Sequence, residues 1–162
     1  MNQYRTELKW GLVFVGMSLL WMLGERLAGL HDERIAHHAV YTNLIAIPAI
    51  LIYWLGLREK RDHDYGGKMS WRQGFVAGLL ITAVVVVLTP VSQWLTARVI
   101  SPDYFTNAIE YGVANELTTR AEAEQFFSFG NYVLMATLGA LVMGVFTSAV
   151  VALFVRRSAY VS

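Results

Sequence analysis

The chain has 162 residues, of which 56% are hydrophobic and 15% charged, against about 25% charged in an average soluble domain. A net charge of +1 predicts no nucleic-acid partner, and the lack of cysteine excludes disulfides, thiolate metal sites and cysteine nucleophiles. Charges are segregated, with none in residues 39–57, 73–97 or 130–155. Apolar runs of about 18 or more residues are long enough, as helix, to cross a hydrocarbon core of about 30 Å. The reading is an all-α integral membrane four-helix bundle forming one membrane domain over residues 1–162, and a soluble helical bundle is the rejected alternative.

In chain order, a first span is expected at about residues 8–28, with Arg5 and Lys9 at its start. A cleaved signal peptide competes for this stretch, but Glu25 and Arg26 fall where cleavage would occur, so a retained span is expected. A polar connection carrying Glu25, Arg26, His31, Asp32, Glu33, Arg34, His37 and His38 leads to a second span at about 39–57, with Asn43 and Pro48 inside it. The basic stretch Arg58 to Arg72 follows, with a turn at Gly66-Gly67 and Ser70 as N-cap of the next helix. The third span is expected at about 73–97, with a kink at Pro90.

Residues 101–129 form the one long polar segment. Ser101-Pro102-Asp103 has cap, proline and first-turn acid in the order a helix start prefers. Phe105, Ile109, Val113 and Leu117 recur every four residues as one apolar stripe, and Thr119 with Glu122 forms a capping box opening a second helix that ends at Phe126-Phe127. Two short amphipathic helices are expected here, lying on the membrane or capping the bundle. A fourth span at about 130–155 is stopped by Arg156-Arg157.

Lysine and arginine set the orientation. Arg5, Lys9, Arg58, Lys60, Arg61, Lys68, Arg72, Arg156 and Arg157 fall on one side of a four-span layout, and Arg26, Arg34, Arg98 and Arg120 on the other. Both termini and the central loop are therefore expected on the cytoplasmic face of a bacterial inner membrane. Trp10, Trp54 and Trp71 then sit at that interface, and Tyr41, Trp94 and Tyr132 at the outer one.

The run Gly66-Gly67-Lys68-Met69-Ser70-Trp71-Arg72-Gln73-Gly74-Phe75, opening into Val76-Ala77-Gly78-Leu79-Leu80, resembles the domain-of-unknown-function family 4199 of small bacterial four-span membrane proteins. The acidic, aromatic segment after span three and the closing Arg-Arg support the resemblance. It implies the four-span layout and carries no activity.

Two groups of residues merit weighing. Ala136, Ala140, Gly144, Ser148 and Ala152 are each four apart and form a small-residue ladder, matched by a shorter strip of Gly74, Gly78 and Thr82. Such strips let helix backbones approach closely in lipid, within one chain or across a dimer seam. Glu25, Arg26, His31, His37 and His38 form the other group, a candidate polar or interfacial cluster. Its expected form is a solvated interfacial loop, with Glu33 and His37 on one helix face and Glu25-Arg26 as an interfacial pair, rather than a metal or proton site. Asn43, Thr82, Thr89, Asn131, Thr137 and Ser148 are expected to bond backbone carbonyls or a neighbouring helix.

No residue is assigned a catalytic, cofactor-binding or metal-binding role, and no cofactor is expected. The function expected is that of a non-enzymatic scaffold, accessory or self-associating membrane subunit. Its partners would be the lipid bilayer and either a second copy or another membrane protein. Permeation of a small molecule or lipid is the alternative, and an intramembrane enzyme using Glu25 and the histidines a weaker one.

Overall fold

Helices dominate because the apolar segments must satisfy their own backbone polar groups in lipid. The computed structural model describes residues 4–157. Helix α1 is Arg5–Leu27, α2 Ile35–Tyr41, α3 Ala46–Glu59, α4 Trp71–Leu95, α5 Tyr104–Ala114, α6 Arg120–Phe126 and α7 Phe129–Val155. A 3₁₀ turn at Thr42–Ile45 joins α2 to α3, and π-helical turns at Lys60–Asp64 and Thr96–Ile100 extend α3 and α4. Among the described residues, four segments are long and apolar enough to cross a membrane: Arg5–Leu27, Ile35–Asp64, Trp71–Ile100 and Phe129–Val155. The second is longer at both ends than the 39–57 read from hydropathy, because the histidine-bearing residues 35–38 are already helical. Pro48 lies in the first turn of α3, where a missing N–H is tolerated, and α4 continues through Pro90.

Helices α4 and α7 form the most extensive pair, with α1 packed on α4 and α3 on α7. The two small-residue strips meet each other within the chain. A Cβ added at Gly74 would lie 3.2 Å from Ala152 Cβ, and one at Gly78 would lie 2.6 Å from Ser148 Oγ. Gly144 in turn abuts Thr82. Gly144, Ser148 and Ala152 are buried, while Ala136 and Ala140 are half-buried farther along α7. Polar groups in this seam turn back on their own helices. Thr82 Oγ1 donates to Gly78 O (2.9 Å), Ser148 Oγ to Gly144 O (2.6 Å) and Thr89 Oγ1 to Val85 O (2.9 Å), while Tyr53 and Thr82 hydroxyls meet at 2.8 Å. Asn43, Asn131 and Thr137 likewise donate to Ala39, Phe126 and Val133 carbonyls.

The basic end is tied down by charge and backbone together. Tyr53, Leu57, Met69, Ala77, Ile81, Val151, Ala152 and Val155 form the core beside it. Met69 and Arg157 exchange backbone hydrogen bonds of 3.1 and 2.9 Å, and Arg61 Nη1 donates to Val155 O at 3.0 Å. Lys60 is buried between Glu7 (2.9 Å) and Asp64 (2.7 Å), and Lys9 pairs with Glu59 at 2.6 Å. Ser70 caps α4 in a capping box with Gln73.

Thr119 and Glu122 form the expected capping box, and the Thr119 N–H and hydroxyl hold the Glu122 carboxyl below its usual range. Helix α5 starts at Tyr104 rather than at the Ser101-Pro102 signal. It also buries a different face from the one expected. Tyr104, Ala108 and Gly112 face inward, Phe105, Ile109 and Val113 are half-buried beside them, and Leu117 is 69% exposed. The apolar stripe predicts the neighbouring face because two of the three buried residues there are small and carry little hydropathy.

Candidate functional site

The site is built at the end of the bundle opposite the basic loop, where α1 stops. Gly29 has φ +76, and the Leu30 N–H returns to Glu25 O (2.9 Å) while the Gly29 N–H returns to Arg26 O (2.9 Å). This is the Schellman arrangement, in which a left-handed glycine ends a helix and reverses the chain. The reversal lays His31 back over the last turn of α1, where Glu25 sits. Helix α2 then begins at Ile35 and delivers His38 to the same place.

Glu25 is 4% exposed. Its Oε1 accepts from Trp21 Nε1 at 2.7 Å, one helical turn earlier. Its Oε2 lies 3.3 Å from His31 Nε2 and 3.5 Å from His38 Nε2. His31 is 1% exposed and its carbonyl accepts from Asn107 Nδ2 of α5 at 2.9 Å. Tyr104 covers both imidazoles, its ring 4.9 Å from that of His31 and 5.1 Å from that of His38. Tyr104 Oη stands 3.4 Å from His38 Nδ1. Burial pushes the Tyr104 phenol above its usual range, so it keeps its proton. Phe105, Phe127 and Tyr132 close an aromatic wall behind it.

The geometry departs from a solvated histidine loop. A buried carboxylate needs a partner, and among the described residues no lysine or arginine pairs with Glu25, whose partners are two histidines that carry charge only when protonated. The neighbouring Arg26 is exposed and donates instead to Ile100 O at the end of the Thr96–Ile100 turn. His37 is exposed on the far side of α2, against the Tyr41 ring, and Glu33 is exposed on the turn. Of the five residues read as one cluster, Glu25, His31 and His38 come together, and Arg26 and His37 do not.

Trp21, Tyr104 and Asn107 belong to the surroundings and carry no role in the sequence pattern, and Tyr132, expected there as an interfacial aromatic, joins them. The i,i+4 spacing of Trp21 and Glu25 on α1 is the one local signal that pairs a donor with the acid. The others arrive from α5 and α7, far away in sequence.

Two cavities flank the group. One of about 480 Å³ is lined by Trp21, Gly24, Glu25, Leu30, Tyr41 and Pro48, and is almost wholly apolar. The other, about 490 Å³, is lined by His38, Tyr104, Tyr111, Phe126, Phe127 and Tyr132 among others. Glu25 and His38 thus each border a space that a small molecule or ion can enter. Chemically, the arrangement offers one carboxylate oxygen and two imidazole nitrogens converging at one point, with a protonated phenol behind.

A family model described as "Protein of unknown function (DUF4199)" matches residues 9–157, and the chain belongs to that family. No curated protein and no solved structure matches the chain.

Proposed function

We propose that this family member is a non-enzymatic membrane subunit that binds a small ligand at its Glu25–His31–His38 end and acts through association with a membrane partner. In this reading both termini and the Arg58–Arg72 loop face the cytoplasm of a bacterial inner membrane, supported by the excess of lysine and arginine at that end. The ligand-binding end then faces outward.

One observation carries the reading: the distribution of polar groups inside the bundle. The hydroxyls of Thr82, Thr89 and Ser148 are each bonded to a carbonyl of their own helix, and Gly74, Gly78 and Gly144 bring α4 and α7 together without a gap between them. A translocation path needs exchangeable polar groups through the middle of the membrane. Here the acid and the histidines gather at one end.

A second reading, permeation of a small molecule or lipid, is favoured by a cavity of about 510 Å³ between α3 and α7, lined by Phe14, Thr42, Asn43, Tyr53, Met143 and Thr147 among others. Reconstitution into sealed vesicles separates the two. With the purified chain in vesicles loaded with a pH-sensitive dye, the binding reading predicts proton and small-solute leakage equal to that of empty vesicles. Leakage above that level would overturn it in favour of permeation.

A further inference from the structure

We infer that Glu25, His31 and His38 form a binding site for a divalent transition-metal ion of the zinc class, with Glu25 Oε2, His31 Nε2 and His38 Nε2 as the three protein ligands. The inference rests on the reading of this end as a ligand-binding site and names the ligand.

Distance is the first support. Zinc binds imidazole nitrogen and carboxylate oxygen at about 2.0–2.1 Å in tetrahedral geometry, which sets the ligand atoms about 3.3–3.4 Å apart along each edge. The two edges that run to Glu25 Oε2 measure 3.3 and 3.5 Å. One ligand atom from each of the three residues lies within 4.8 Å of the others. Two edges are thus already at the tetrahedral length, and an ion would draw the two imidazoles together along the third.

The second support is the hydrogen bonding at His38. His38 Nε2 is buried and has no hydrogen-bond partner, although it is aimed at the carboxylate. Buried polar nitrogens are almost always satisfied, and an orphaned one calls for an ion or a water. An ion at the meeting point of the three groups would satisfy His38 Nε2 directly and neutralise the buried Glu25 carboxylate.

The surroundings fit ligand chemistry as well. Imidazoles that bind metal usually present their second nitrogen to an oxygen that fixes the tautomer. His38 Nδ1 faces Tyr104 Oη at 3.4 Å, so an Nδ1–H donating to the phenol oxygen leaves Nε2 bare for the ion. Trp21 holds the other carboxylate oxygen and orients Glu25 for binding through Oε2 alone. Oxygen and nitrogen donors without sulfur suit zinc, and two imidazoles disfavour magnesium and calcium, which take oxygen ligands. Three protein ligands leave one tetrahedral position for a water, on a site bordered by the two cavities.

The test is zinc titration of the tag-free chain in mild detergent after chelator treatment, read by a competing chromophoric chelator, with cobalt substitution as a second readout. One equivalent of zinc per chain is expected, and bound cobalt should show the intense visible bands of tetrahedral coordination. Glu25→Gln and His38→Gln should each weaken zinc binding at least about 100-fold, since the loss of a ligand exceeds the 10–100-fold typical of a second-shell change. The exposed His37→Gln should leave binding unchanged. Less than stoichiometric uptake, uptake equal in Glu25→Gln and wild type, or the weak pale spectrum of octahedral cobalt would each overturn the assignment. The cobalt spectrum needs only the wild-type chain, so it decides the matter even where a variant fails to fold. Absence of metal together with tight vesicles would remove the zinc site and leave the non-transport reading standing; leaky vesicles would remove that reading itself.

Discussion

Thr82 of α4 lies against Gly144 of α7, so close that a Cβ built on the glycine would sit 2.6 Å from Thr82 Oγ1. Thr82 and Ser148 hydroxyls are 3.5 Å apart in the same seam, and both are buried. Close backbone approach is the main source of helix–helix affinity in lipid, where hiding apolar surface gains little. Gly144→Leu should therefore push α7 off its own α4, at a cost of about 1–3 kcal/mol from overpacking. Val142, 64% exposed on the opposite face, should accept leucine with little change. Thermal unfolding in detergent checks both. A folded Gly144→Leu chain of unchanged stability but lower oligomeric state would place the ladder at a dimer seam instead.

Much of this seam is legible in the sequence. The rungs Gly74, Gly78 and Thr82 and the rungs Gly144, Ser148 and Ala152 share a four-residue period, and small residues at that period in an apolar helix have few other uses. The capping boxes at Ser70 and Thr119 are equally local, since both partners lie within one turn. The acid–histidine site is legible as residue types and not as a shape. Helical spacing pairs Glu33 with His37, whereas the chain reverses at Gly29 and pairs Glu25 with His31 and His38. Nothing at positions 25–38 indicates that Tyr104 and Asn107, some 70 residues later, will cover the group.

At the basic end, the buried Lys60 ammonium is held by Glu7 and Asp64. Glu7 is 3% exposed, so removing its partner leaves an anion without compensation. Lys60→Met should cost about 3–5 kcal/mol, and the double change Lys60→Met with Glu7→Met should recover most of that loss, because a buried pair replaced by apolar groups of similar volume is close to neutral. A double-mutant cycle on thermal unfolding measures it. Equal losses in the single and double variants would show that the pair contributes through packing alone.

The proposed orientation makes a separate prediction. Cysteines placed at Lys68 and Asp103, both exposed and at opposite ends of the bundle, should differ in labelling by a membrane-impermeant thiol reagent. In intact cells Asp103→Cys should label and Lys68→Cys should label only after the membrane is opened. Labelling of Lys68→Cys in intact cells would reverse the charge-based orientation and put the histidine end in the cytoplasm.

The convergence of Glu25, His31 and His38 on one ion is tested most directly by X-ray absorption at the zinc edge of the zinc-loaded chain. The expected spectrum has a first shell of nitrogen and oxygen at about 2.0–2.1 Å and the outer-shell scattering of two imidazole rings. In His31→Gln the imidazole contribution should fall by half. A spectrum of oxygen neighbours without imidazole scattering, or one unchanged by His31→Gln, would contradict the site.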